Sequence, residues 1–277
     1  MNPAQAERIR QFQAAQHALE HLGQLHRQDF TTPQRPQVAR PDLPKFHKLL
    51  VTAEQQCMHG VPLRDRVRRK AAAAEARGVA ERWALDLMTL AEQERRDRQA
   101  QIDSRWAGIY ANDADTVVTA LTEAFAGRGR RLAVRGMYDR EVGLVAPLPN
   151  LATVPSQKPA HTPHGVPTLH AMTQTERNEW FAQVVASELL LVAKESFALA
   201  PALPAVRVVG TGERGLPLVA ARIQRDRLRG VNWHVGAWPI LHQLDPEMRV
   251  DIRGRTRALH TMDLRADAVF GPLLRDD

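Results

Sequence analysis

The chain has 277 residues, 44% of them hydrophobic, enough for a sizeable core and for more than one compact part. Its single cysteine, Cys57, excludes an intramolecular disulfide framework, and the longest apolar run, Val184 to Leu203, carries Glu188, Lys194 and Glu195; a cytosolic protein with no membrane partner is expected. A net charge of +7 points to polyanionic partners, although only five of the 38 basic residues are lysine, and arginine richness of this kind also follows from a GC-rich genome.

The N-terminal stretch reads as a helix capped by Asn2, with Pro3 at its first position and Ile9, Phe12, Leu19 and Leu22 on one stripe. So narrow a stripe cannot stabilise a helix alone; it must dock on the body or pair with a second copy, and a homo-oligomer built through the N-terminal helices is expected. Pro33, Pro36, Pro41 and Pro44 make residues 30–44 an extended linker. A short helix begins near Asp42, buries Phe46, Leu49, Leu50 and Ala53, and stops at His59-Gly60. From Pro62 to about Tyr110 helix formers dominate, giving one long helix or two broken near Gly78. Residues 92–101 are polar all round, as in a solvated connecting helix laced by pairs such as Glu92 with Arg95 or Arg96 and Glu94 with Arg98. Residues 1–110 are therefore expected to form a helical arm, possibly coiled-coil, and 111–277 an α+β domain.

That domain contains a pattern that occurs twice. Glu123-Ala-Phe-Ala, Ala133-Val-Arg135 and Glu141-Val-Gly-Leu144 return 72 residues later as Glu195-Ser-Phe-Ala, Ala205-Val-Arg207 and Glu213-Arg-Gly-Leu216. Each copy reads as a helix (113–127, 174–198) feeding a strand, a tight turn and a second strand, so the fold class is α+β with two helix–hairpin units in the order αββ-αββ. Between them lies a long loop, 149–172, with five prolines, three histidines and no period. Thr173-Gln-Thr-Glu176 is a capping box, and its helix becomes apolar all round by Leu189–Ala193, as expected of the central buried element. Segments 231–235, 248–252 and 257–262 alternate like additional antiparallel edge strands.

Two basic clusters are the candidate nucleic-acid-binding residues. One is Arg64, Arg66, Arg68, Arg69 and Lys70, interrupted only by Asp65 and set at the start of the long helix, where the macrodipole disfavours cations unless an anion is near. The other is Arg222, Arg225, Arg227 and Arg229 with Arg253, Arg255 and Arg257, inside a segment (204–257) holding ten arginines against five acids. The turn carboxylates Asp139, Glu141 and Glu213 are the pieces from which a magnesium-dependent nuclease would be built, and His161, His164 and His170 the pieces for zinc. Neither set has motif support: Gly210-Thr-Gly-Glu-Arg-Gly215 matches a dinucleotide fingerprint by letter but leads into a strand instead of a helix. No metal or other cofactor is therefore expected. The expected function is non-catalytic nucleic-acid binding, DNA before RNA, with a protein-interaction scaffold and a nuclease-like enzyme as the alternatives.

Overall fold

The computed structural model describes residues 3–129 and 131–275; Asn2, the expected helix cap, and the two terminal aspartates lie outside that set. It is α+β, and no helix in it is long and apolar enough to cross a membrane. Contacts divide the chain into two units, residues up to Pro33 together with Gly108 onward, and residues 34–107. The sequence instead places a single arm over 1–110.

The larger unit is built on a six-stranded sheet of β1 (Ala133–Tyr138), β2 (Glu141–Pro147), β5 (Ala205–Thr211), β6 (Pro217–Gln224), β7 (Arg249–Arg253) and β8 (Ala258–His260), neighbours in that order. Only β2 and β5 are parallel. Between them the chain makes the small hairpin β3 (Gln157–His161) and β4 (Pro167–Ala171), so the expected structureless loop 149–172 contains a two-stranded sheet. It then forms α5 (Gln174–Leu199). The capping box is present: the Thr173 hydroxyl accepts from the Glu176 amide while the Glu176 carboxylate accepts from Thr173 N–H. Buried residues surround α5 from Val184 to Ala198, which makes it the central helix. Asp113 caps α4 (Ala114–Gly127), which buries Val117, Leu121 and Phe125 against the same core.

Both helix–hairpin units form, with Phe125 and Phe197 buried and Arg135 and Arg207 on their first strands. The units are of opposite hand. β1 and β5 run in opposite directions while both helices feed one core, so aligning the first strands with the helices on the same side leaves the second strands on opposite sides. Along β2, Leu144 and Ala146 point into the main core; along β6, Leu218, Val219, Ala221 and Ile223 do, with Ala220 on the far face. The β5–β6 register shifts between Gly210 and Thr211, where the adjacent Leu218 and Val219 both reach the core.

The first helix, α1 (Pro3–Gln24), packs on β3, β4 and α5. Leu22 is buried, Leu19 and Leu25 pack on the main core, and Phe12 meets the His161 ring edge-on at 5.1 Å. The stripe is thus covered within the chain and needs no second copy. Residues 231–235, expected as a strand, form a turn region, where Trp233 stacks under Lys194 Nζ at 4.4 Å. The following α6 (Ala237–Leu244), with Pro239 in its first turn, is a helix that the alternating pattern did not suggest.

In the other unit α2 (Phe46–Cys57) lies against α3 (Arg66–Ala111), a single helix that passes unbroken through Gly78 and extends into the larger unit. Ala53, Ala76 and Ala80 are fully buried where the two helices touch, with Leu49, Leu50, Cys57, Val79 and Trp83 around them. Gly60, at φ +78°, turns the chain after α2. The proline-rich linker is held on α3: Val38 N–H donates to Gln99 Oε1 at 2.8 Å, Gln99 Nε2 reaches the Pro36 carbonyl at 3.3 Å, and Arg35 pairs with Asp103 at 3.6 Å. Glu92 bonds Arg95 and Arg96 as the helical spacing predicts.

Candidate nucleic-acid interface

The two basic clusters have different surroundings. On the sheet face away from the helices, β6 carries Arg222 beside Arg207 of β5, and both hold Glu141 of β2. Arg207 Nε donates to Glu141 Oε2 at 2.7 Å and its NH2 to Asp139 at 3.2 Å. Arg222 Nε donates to both Glu141 oxygens at 3.0 Å, and its NH2 also bonds Glu141. The Tyr138 ring lies beneath Arg207, 5.8 Å from its Cζ, and occupies the space over Gly143, where a Cβ would stand 2.6 Å from the ring. Burial pushes the Glu141 carboxyl up, but hydrogen bonds from Arg222 and Arg207 outweigh it and leave the group below its ordinary value. Both carboxylate oxygens are occupied, so Glu141 is tied up as an ion-pair partner.

Arg225 and Arg227 are helix caps. Arg225 Nε donates to the Leu203 carbonyl at 2.8 Å and NH2 to those of Phe197 and Ala200 at 2.7 and 2.9 Å, closing the C-terminus of α5 with its guanidinium over the Phe197 ring. Arg227 NH1 donates at 2.9 Å to the carbonyl of Leu244, the last residue of α6. Asp245 accepts from Arg222 N–H at 2.7 Å and from Glu247 N–H at 3.2 Å, fixing the turn beyond α6. Of these four arginines only Arg229 is exposed with neither an acid nor a carbonyl bonded to its side chain among the described residues.

Arg253, Arg255 and Arg257 do not join that group. The register Val219↔Val250 and Ala220↔Arg249, carried along β7, sets Arg253 level with position 216, six residues from Arg222. At ~3.3 Å per residue the two sets stand about 20 Å apart along the strands, at opposite ends of the sheet. Arg253 chelates Asp251 at 2.9 and 2.5 Å, Arg257 pairs with Glu179 at 3.1 Å, and Arg255 is exposed without an acid partner among the described residues. The seven arginines that the sequence groups together are therefore divided between two separated ends of the sheet, and most are engaged within the protein.

The cluster at the start of α3 is the reverse case. Arg64, Arg66, Arg68 and Lys70 are exposed and Arg69 half-buried, and among the described residues only Arg68 has an acid, Asp65, at 3.3 Å. Asp65 also accepts from Arg68 N–H at 3.0 Å, satisfying one amide of the helix start. Leu63 and Val67 stand among these cations 83% and 82% exposed, more than the other large apolar side chains of the described chain. The unit to which they belong holds fifteen Lys and Arg against ten Asp and Glu, an excess of five out of the seven of the whole chain.

The other candidate chemistry is dispersed. Glu213 lies in the β5–β6 turn, at the far end of the sheet from Asp139 and Glu141. His161 is engaged with Phe12, while His164 and His170 lie in the β3–β4 turn and on β4. Among the described residues no three His, Cys, Asp or Glu side chains gather in a way that could hold a metal ion. The sequence reading missed the Glu141–Arg207–Arg222 cluster; its only signal was the placement of Glu141 and Arg207 within the repeated pattern.

Compared with known proteins, the chain matches no family model, no curated protein and no solved structure.

Proposed function

We propose that the protein is a non-catalytic nucleic-acid-binding protein, with DNA its preferred partner, that engages phosphates through the basic tip of the 34–107 unit. The observation that carries this reading is the contrast in pairing. Arg222, Arg225 and Arg227 spend their donors on Glu141 and on helix C-termini, whereas Arg64, Arg66 and Lys70 are exposed and have no acid partner among the described residues. Uncompensated arginine and lysine release counterions when they meet phosphate, which is the sequence-independent source of nucleic-acid affinity. Arg229 and Arg255, at the two ends of the sheet, are exposed enough to add contacts.

The test is a fluorescence-anisotropy titration of the full chain with a labelled duplex at several salt concentrations. Affinity should fall steeply and linearly in log–log form; no detectable association at low salt contradicts the reading. A parallel incubation with magnesium should leave the duplex intact, since Glu141 is saturated by guanidinium groups; degradation that tracks the protein would restore the nuclease alternative.

A second reading, a protein-interaction scaffold, rests on Leu85, Leu87, Met88 and Leu90, all exposed on α3. Self-association through the N-terminal helices would then run through α3 and not α1. Sedimentation of the full chain against Leu87→Lys/Leu90→Lys tests it. A monomer in both states leaves no role for self-association.

A further inference from the structure

The tip of α3 has a front and a back. Ala72, Ala76 and Ala80 are the buried residues on the side where α2 is packed. At about 100° per residue, Val67, Ala71 and Ala74 project on average about 170° away from them, on the face opposite α2. Arg66 and Lys70 lie on one flank of that front and Arg68 on the other, and Arg66, Val67, Lys70, Ala71 and Ala74 together line one shallow, open concavity. Arg64 lies in the turn leading into the helix, next to Leu63. The exposed face is thus apolar and low along its centre and cationic along the Arg66 and Lys70 margin, while the other margin carries Arg68, paired with Asp65, and, two turns on, Glu75; the helix is supported from behind.

We propose that this face lies in the major groove of duplex DNA, with Val67 and Ala71 against the groove floor and Arg64, Arg66, Arg68 and Lys70 on the phosphates of the two walls. The inference rests on the nucleic-acid reading above and specifies its substrate as B-form duplex. An α-helix about 10–12 Å wide matches a groove about 12 Å wide. The deep, narrow major groove of an RNA duplex excludes such a helix, so a basic helix that only tracked phosphates would accept RNA and DNA alike, and one that enters the groove would not. The charge decides for a polyanion, and the shape decides for the groove: a long side chain in place of Ala71 would hold the helix off the floor. Valine and alanine present only methyl groups, which at a groove floor suit the C5-methyl of thymine. Arginine at the margins offers bidentate contact to phosphate.

The experiment compares the full chain with Val67→Ser and Ala71→Phe, both at exposed positions where refolding is not required. Each is titrated against a 20-base-pair AT-containing DNA duplex, the same duplex with every thymidine replaced by deoxyuridine, and the equivalent RNA duplex. The wild type should bind DNA at least tenfold more tightly than RNA and lose about threefold on removal of the thymine methyls. Val67→Ser should bind the thymidine and deoxyuridine duplexes alike with an unchanged salt slope, and Ala71→Phe should lose most of the preference for DNA over RNA. Equal affinity for the DNA and RNA duplexes, with both variants indistinguishable from wild type, would overturn the groove placement while salt-dependent binding still upheld phosphate contact. No binding to any of the three would remove the underlying reading as well.

Discussion

Residues 64–70 and 222–229 look alike in the sequence, each with four or five cations in a short span, and they differ completely in what surrounds them. Around the second group the fold gathers acceptors: the ends of α5 and α6 supply carbonyls to Arg225 and Arg227, and Glu141 takes Arg222. Around the first it gathers almost none, because the chain there is a turn and the start of a helix, whose own unpaired groups are N–H donors. Counting charges therefore overestimates one surface and underestimates the other. What matters for a polyanionic partner is the charge left over after the protein has satisfied itself.

The largest effect that would sharpen this contrast is expected at Glu141. Its side chain and that of Arg207 are 6% and 10% exposed, so Glu141→Ala leaves a buried guanidinium with only the exposed Asp139 as partner and should destabilise the protein by about 3 kcal/mol in chemical denaturation. A loss below about 1 kcal/mol would mean that the cluster is not structural. The pH dependence follows from the same geometry. The folded carboxyl lies below its ordinary value of 4.5, so its contribution is fully present above that value and is lost as pH falls through the lower folded one. Glu141→Gln should flatten this part of the acid limb of stability; an unchanged limb would assign it to other carboxylates.

A smaller loss is expected for Arg225→Gln, which removes charged donors from the carbonyls of Phe197, Ala200 and Leu203. About 2 kcal/mol of destabilisation should appear with no change in the salt dependence of DNA binding. A variant that keeps its stability but loses salt dependence would make Arg225 a phosphate contact and erase the distinction between the two regions. Smaller still, Arg253→Gln with Arg257→Gln opens two exposed pairs and should leave the unfolding midpoint where it was in thermal scans. A marked fall would reveal a structural role for the β7–β8 end.

Much of the fold was legible where the signal is local. Thr173 with Glu176 announced the start of α5, and the apolar circumference at Leu189–Ala193 its central place. The stripe of α1 announced that it must be covered, but not by what. Signals that depend on distant partners were unreadable: the parallel pairing of β2 with β5, the face of β6, and Arg225 reaching carbonyls 22 to 28 residues earlier. Prolines concealed the small hairpin, since Pro159 and Pro167 belong to short strands with no further partner, where a missing N–H costs little. The site was legible as a list of cations and not as a choice among them, because pairing is a property of the folded chain.

That choice is tested most directly by one paired measurement of the salt slope of duplex-DNA binding. Arg64→Gln/Arg66→Gln/Lys70→Gln should reduce the slope of log K against log salt by about 2.7, at roughly 0.9 per phosphate contact, while the unfolding midpoint stays unchanged. Arg222→Gln/Arg225→Gln/Arg227→Gln, measured beside it on whatever fraction remains folded, should keep the wild-type slope. The opposite pattern, a slope unmoved by the tip and lowered by the sheet arginines, would contradict the account.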